Sequence, residues 1–271
     1  MLIFANVVWG ARCGESARRV LLGETRSRGY VHSVRHRRES ASGCKAPHGL
    51  PSSRLVSTIP FDEWMKMNYP SVPFERYADD ILCHCWSERE AHWLRRRLQE
   101  RFASCRLRLH PQKTKVVYCK DSNRSGLYPV ISFDFLGYTF RPRLVKWPRG
   151  TYGVSFQPAA SQSALQAIRK SVRLWGLQRR SEKDLGDLAR MFSPYIRGWV
   201  NYYSHFYKSA LYPTLKLIDE HLVLWVQRKC KRLRQRPVGA RVWLASAIRR
   251  YPMLFPHWKL LYGNGRMLGA G

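Results

Sequence analysis

Phe74-Glu75-Arg76-Tyr77-Ala78-Asp79-Asp80-Ile81-Leu82-Cys83-His84-Cys85 is the stretch on which the reading of this chain turns. Two short apolar runs, Phe74–Tyr77 and Ile81–Cys85, flank Ala78-Asp79-Asp80, a pattern that predicts two strands joined by a tight hairpin. Adjacent carboxylates on a hairpin tip repel each other, which is costly unless cations bind there. Mg²⁺ would offset that repulsion. Two such ions about 4 Å apart can stabilise the attacking and leaving oxygens of a phosphoryl transfer. The plainer alternative is an Asp-Asp turn bathed in water, and the surrounding sequence decides between them.

Working outward, residues 61–150 read as compact α/β. Phe61-Asp62-Glu63-Trp64-Met65 ends a helical pattern, and Tyr69-Pro70-Ser71-Val72-Pro73 breaks it. Ser87-Glu88-Arg89-Glu90 has the form of a capping box. The helix it opens should bury Ala91, Leu94, Leu98 and Phe102. Cys105, Leu107 and Leu109 alternate with Arg106 and Arg108, as in a half-buried strand. His110-Pro111-Gln112 turns the chain, Val116–Tyr118 is another strand, and Ile131, Phe133 and Phe135 alternate in a third. On a strand, Cys83 and Cys85 share one face and His84 points to the other, so Cys83-His84-Cys85 reads as packed strand in preference to a zinc site.

Residues 155–260 read as helical. Leu165, Ile168, Val172 and Trp175 recur at helical spacing. Ser193-Pro194 is expected to open a helix as N-cap and first-turn proline, and that helix carries Ile196, Trp199, Val200 and Tyr203. Pro213 precedes another, with Leu217, Ile218, Leu222 and Trp225, and a short helix is expected near Val242–Ile248. Residues 261–271 read as a tail. Residues 1–60 differ: they are basic, and Gly10–Leu50 shows no sustained period of 2 or 3.6, so they read as a disordered or foreign leader.

The chain has 271 residues, of which 45% are hydrophobic, enough for a real core. Its 48 Lys and Arg against 18 Asp and Glu give a net charge of +30. So large an excess costs self-repulsion and fits a polyanionic partner, nucleic acid first. An acidic scaffold is excluded. No run approaches the roughly 20 apolar residues of a spanning helix, so no membrane partner is expected. The seven cysteines are odd in number and lack paired Cys-x-x-Cys spacing, which suggests reduced thiols and a cytoplasmic setting. Residues 161–271 hold 21 basic and 5 acidic residues, a net +16. In Lys229-Cys230-Lys231-Arg232-Leu233-Arg234-Gln235-Arg236, like charges crowd together as a phosphate-binding surface would require.

Four motifs, in order, carry a family resemblance. Asn68-Tyr69-Pro70 through Phe74–Asp80 and on to Cys85 resembles the reverse transcriptases encoded by group II introns. Leu109-His110-Pro111-Gln112-Lys113-Thr114-Lys115 resembles the family's next palm motif. Phe133-Asp134-Phe135-Leu136-Gly137-Tyr138-Thr139-Phe140 resembles its primer-grip hairpin. Tyr195-Ile196-Arg197-Gly198-Trp199-Val200-Asn201-Tyr202-Tyr203 resembles the signature of its maturase-specific domain. The resemblance covers about residues 60–260.

The resemblance implies an α+β fold: a partial reverse-transcriptase palm of antiparallel strands with a helix, then an α-helical thumb/maturase bundle. It implies RNA-directed DNA synthesis with Mg²⁺ and deoxynucleotides, and help in intron splicing. Asp79 and Asp80 would be catalytic metal ligands, and Lys113 would act near the triphosphate. Tyr77, Phe135, Leu136 and Gly137 would position primer and nucleic acid. Arg197, Lys208, Arg228, Lys229, Lys231, Arg232, Arg234 and Arg236 would bind RNA. The expected partners are group II intron RNA, with DNA primer or target and a complementary polymerase fragment as further candidates. One departure stands out. The family's metal cage needs another aspartate on an earlier palm strand, and no match to it was found in residues 1–60. Asp62 does not fill that role, being in the helical Phe-Asp-Glu-Trp pattern. The expectation is therefore a truncated reading frame, an open strand edge where palm strands are missing, and no polymerase activity from this chain alone.

Overall fold

The structure is a computed structural model and describes residues 2–9, 53–124, 126–148 and 150–263. The expectation that Gly10–Leu50 lacks regular structure lies outside the described residues. The chain divides into two compact units, residues 1–158 and 159–271.

The first unit contains a five-stranded sheet. Strands β1 (Leu2–Trp9), β2 (Phe74–Tyr77), β3 (Asp80–Cys85) and β4 (Arg108–Leu109) lie in the order β2-β3-β1-β4, and β5 (Lys115–Tyr118) also pairs with β1. β1 is parallel to β3, with Phe4 opposite Asp80 and Trp9 opposite Cys85. It is parallel to β4 and β5 on its other flank. Only β2–β3 is antiparallel in this sheet, so the α+β class holds while the palm sheet is mixed and not wholly antiparallel.

Two expectations about the N-terminal stretch are overturned here. Residues 2–9 form no part of a disordered leader, and β3 presents no open edge, because β1 occupies it. The physical reason is legible afterwards. Leu-Ile-Phe-Ala-Asn-Val-Val-Trp is nearly continuous in apolar character, as a strand buried on both faces must be. Ala5, Val7 and Val8 are accordingly buried.

Two helices cover the sheet. α1 (Ser53–Asn68) begins inside the stretch read as leader. α2 (Glu88–Ser104) buries Ala91, Leu94, Leu98 and Phe102, as its spacing predicts. Its capping box is half formed. Ser87 Oγ accepts from the Glu90 N–H, but Glu90 Oε2 accepts from the N–H of Trp86, one residue short of the reciprocal partner. Phe61 of α1 lies edge-on to Phe74 at 5.1 Å between ring centroids and stacks with Phe102 at 5.9 Å. That aromatic trio ties α1, β2 and α2 together. The strand expected over Cys105–Leu109 shrinks to Arg108–Leu109. Cys105 caps α2, and Arg106 takes a left-handed φ of 58°, which breaks the alternation.

A second sheet holds β6 (Phe133–Phe135), β7 (Tyr138–Lys146) and β8 (Tyr152–Ala160) in that order. β8 replaces the boundary expected near residue 150, and the units divide after Pro158.

The second unit is helical: α3 (Gln162–Trp175), α4 (Leu185–Tyr203), α5 (Tyr212–Lys229), α6 (Pro237–Arg250) and α7 (Pro256–Tyr262). α3 is capped at both ends, by the Ser161 side chain and by Gly176 at φ 59°, the left-handed conformation in which glycine ends helices. α4 departs from expectation. It starts nine residues earlier, capped by Asp184, whose side chain and that of Asp187 reciprocally bond the backbone N–H groups. Pro194 therefore lies inside the helix, because Leu188, Ala189 and Phe192 extend the apolar face back through it. α6 is longer than the Val242–Ile248 expected.

The expected tail is also shorter, since α7 carries the chain to Tyr262 and buries Trp258 and Leu261. It is locked by Asp219 of α5, a carboxylate the sequence reading did not single out. Asp219 Oδ1 accepts from Trp258 Nε1 at 2.8 Å and pairs with His257 Nε2 at 3.0 Å. Its Oδ2 accepts from the Tyr262 hydroxyl at 2.7 Å. Burial and the adjacent Asp219 charge raise the Tyr262 pKa well above the ordinary phenol range, so the hydroxyl stays a donor. Among the described residues no helix is long and apolar enough to cross a membrane.

Candidate active site and nucleic-acid interface

The β2–β3 hairpin is built to hold Asp79 and Asp80 in one place. Tyr77 pairs with Asp80 across a two-residue turn. Ala78 occupies that turn at φ 51°, a left-handed conformation costing an L-residue about 1–2 kcal/mol. Arg76 buttresses the turn: its Nη1 donates to the Ala78 carbonyl at 3.1 Å. Its Nε and Nη2 grip both oxygens of Asp62 at 2.7 and 2.8 Å. Asp62 is thus the bidentate partner of Arg76 and not a metal ligand, as its helical setting suggested. Arg76 was missed by sequence reasoning; its only signal was an Arg two residues before the turn.

Electrostatics mark the tip as unsatisfied. Asp79 Oδ1 is buried and has no hydrogen-bond partner among the described residues. Asp80 is held above the ordinary carboxylate range, first by burial and then by the charge of Asp79, while Lys113 pulls it back down. Lys113 stands in the turn after β4, where its N–H and that of Gln112 approach His110 Nδ1 at 3.3 Å each. The structure therefore brings Asp79, Asp80 and Lys113 into one electrostatic group.

Among the described residues the site falls short of a two-ion cage. The strand beside Asp80 is β1, and its register places Phe4 opposite. Residues 2–9 contain no acid. No group of three or more His, Cys, Asp or Glu among the described residues could hold a metal ion. A partnerless buried oxygen beside a second carboxylate does suit one hydrated Mg²⁺, which is commonly bound through one or two carboxylates with water and phosphate oxygens completing its shell. Behind the tip, Cys83 and Cys85 pack into the core of the first unit. Burial, joined by nearby negative charge, pushes both thiols up, that of Cys85 to about 12.

The other nucleic-acid positions fall apart into separate places. Tyr77 is 58% exposed at the hairpin, open to a ligand. Leu136 and Gly137 form the β6–β7 turn with φ of 50° and 75°, the twist of a two-residue hairpin in which both central residues are left-handed. Phe135 is 2% exposed and so holds the turn from within the core without reaching a primer. Phe133 stacks on Phe140 at 4.8 Å behind it.

In the second unit Arg197, Lys208, Arg228, Lys229, Lys231, Arg232, Arg234 and Arg236 are all exposed. The last six do not line one helix. α5 ends at Lys229, Cys230 is extended, and Lys231–Leu233 is a 3₁₀ turn. From residue 221 to 271 there is no acidic residue. Arg228 Nη1 donates to the Gln178 carbonyl at 3.3 Å and Lys229 Nζ to the Lys183 carbonyl at 3.0 Å. Trp225 Nε1 donates to the Arg180 carbonyl at 3.0 Å. These bonds pin the connector between α3 and α4 against α5. Trp199 and Tyr203 pack against the core as their spacing suggested, with Trp175 stacked on Phe192 at 4.5 Å and on Trp199 at 5.3 Å.

Comparison with protein families gives two matches. Residues 12–140 match the reverse transcriptase (RNA-dependent DNA polymerase) family, and residues 165–243 match the group II intron maturase-specific domain. The first match extends into residues 12–60, where no family likeness was expected. Comparison with curated proteins and with solved structures finds no match. Each match falls within one of the two compact units, in the order the four motifs predicted, and the chain belongs to the group II intron-encoded reverse transcriptase/maturase family.

Proposed function

We propose that this chain binds group II intron RNA through its helical unit and does not polymerise DNA by itself. The observation that carries the RNA half is the acid-free run from residue 221 to 271, with Lys231, Arg232, Arg234 and Arg236 exposed together on the connector after α5. Folded RNA is recognised largely through shape and backbone, and each phosphate neutralised releases counterions. The polymerase half rests on the register of β1, which sets Phe4 opposite Asp80 and brings no carboxylate beside it on that strand. Asp79 and Asp80 would hold one Mg²⁺, which when bound would neutralise charge on a triphosphate. Lys113 would offset charge on the departing pyrophosphate, and Tyr77 would meet the incoming nucleic acid. Leu136 and Gly137 would let a primer backbone come close. A single ion leaves one of the two reacting oxygens without a clamp.

Binding of the purified chain to a structured group II intron RNA, against an unrelated folded RNA across a salt series, tests the first half. Tighter binding to the intron at physiological salt supports it. Equal, steeply salt-dependent binding to both means that net charge alone is acting. The partnerless Asp79 oxygen favours a second reading: a separate chain supplies the missing carboxylate and completes a working polymerase on a DNA primer. Primer extension with and without a fingers-and-palm fragment distinguishes the two.

A further inference from the structure

Arg76 lies three residues before Asp79, on the strand that leads into the acidic turn. A guanidinium is charged at every working pH, and its fork fits a carboxylate. Asp79 offers it one, with a buried Oδ1 that has no partner among the described residues. Arg76 goes elsewhere. Its Nε and Nη2 hold Asp62 at 2.7 and 2.8 Å, and its Nη1 rests on the Ala78 carbonyl at 3.1 Å. Asp62 comes from α1, fourteen residues back along the chain. The arginine is thus used for its third contact: it braces a turn whose Ala78 is left-handed at φ 51°. A cation placed for that purpose also stands next to the carboxylates a divalent ion would need, and something must hold it off.

Asp62 is placed to do so. The pair is largely shielded, with the Arg76 side chain 14% and the Asp62 side chain 20% exposed. A bidentate carboxylate grip of this kind is both strong and directional, so it fixes the plane of the guanidinium as well as its charge. The two charges cancel, and a cation approaching the tip meets Asp79 and Asp80 undiminished. Without Asp62, a largely buried guanidinium is left uncompensated, which is costly. Asp79 offers relief, one residue past the carbonyl that Nη1 already touches. We propose that Asp62 is a positioning residue for the acidic turn: it keeps the Arg76 guanidinium on the Ala78 carbonyl and off Asp79, which leaves both turn carboxylates free for a divalent cation. Only this last step rests on the reading of Asp79 and Asp80 as ion ligands; the restraint of Arg76 is a property of the chain alone.

The test uses the full chain. In chelator, Asp79→Asn should raise the melting temperature of the first unit by about 2–4 °C, because it relieves the repulsion between neighbouring carboxylates. In an Asp62→Asn background the same change should lower it, because Asp79 has there become the partner of Arg76. A shift of the same sign in both backgrounds overturns the proposal. Mn²⁺ binding, read from the loss of its free-ion EPR signal, gives the second measurement, with Asp79→Asn/Asp80→Asn as the blank. Asp62→Asn should weaken it about tenfold, or 1.4 kcal/mol, while Asp62→Glu, which keeps the charge, stays close to wild type. Arg76→Met/Asp62→Asn, which has no cation to collapse inward, should bind more tightly than Asp62→Asn. If Arg76 only braced the turn, that double variant would bind most weakly of all; this result overturns the proposal, as does an Asp62→Asn that binds like wild type. A wild type that binds no Mn²⁺ beyond the blank, with the sign change intact, keeps the restraint of Arg76 and removes the ion reading.

Discussion

Asp219 in the helical unit and Asp79 in the hairpin unit are both drawn out of water, yet Asp219 meets three polar side chains and Asp79 keeps one oxygen with no partner among the described residues. A buried carboxylate that is fully bonded belongs to the structure; one left short calls for an explanation. The same contrast extends to the cations. In the hairpin unit Arg76 is enclosed by Asp62 and the Ala78 carbonyl, whereas Lys231, Arg232, Arg234 and Arg236 of the helical unit lie in water far along the sequence from any acid. One unit holds an acidic pair with a buried oxygen unbonded among the described residues, and the other turns its bases outward.

The comparison is broken most severely at Asp219. Asp219→Leu strands the donors of Trp258, Tyr262 and His257 together, and it should cost about 3–5 kcal/mol. The transition of the helical unit in a thermal melt would move accordingly, while Asp219→Asn, which keeps an acceptor, should cost less. Next comes Arg76→Ala, which leaves Asp62 unpaired and the strained Ala78 turn unbraced. A loss of about 2 kcal/mol is expected, read from urea unfolding of the first unit. An equal loss in Arg76→Lys would show that the bidentate geometry matters. In the helical unit, replacing Arg232, Arg234 and Arg236 by alanine should leave folding intact. The slope of log binding against log salt should become shallower by about 2–3, and an unchanged slope would remove these residues from the interface.

The smallest effect sharpens the hairpin side. The folded pKa of Asp80 is raised, so its contribution is present below the ordinary carboxylate pKa and is lost as pH rises through the raised value. Asp80→Asn should therefore match wild type in acid and be the more stable protein near neutrality. For a half-buried, screened site the gain is at most about 1 kcal/mol. Mg²⁺ should shrink that difference by stabilising wild type alone; a Mg²⁺-independent gap would mean that the two carboxylates hold no ion.

Local pattern made much of this legible. The hairpin at Ala78-Asp79 and the buried face of α2 are short-range features, set by turn chemistry and by a 3.6-residue period. That period also marked Trp175 and Trp199 as helix-face residues, whereas Phe192, stacked on Trp175, lay before the helix start the sequence suggested. Where the reading failed, long-range pairing or a competing apolar face was the cause. Ser193-Pro194 has the composition of a helix start, but Leu188 and Phe192 bury an earlier turn and carry the helix through the proline. Cys105, Leu107 and Leu109 alternate as a strand does, but the left-handed Arg106 ends the alternation.

By itself, then, the sequence determined the family, the order of its two parts, the acidic turn and the basic surface, because each rests on residue types at fixed short spacing. Tertiary structure alone decided that residues 2–9 fill the middle of the sheet with Phe4 opposite Asp80, that Asp62 belongs to Arg76, and that Asp219 closes the helical unit. Those outcomes depend on which distant strand or side chain reaches a group first and satisfies it, and nothing in local spacing records that competition.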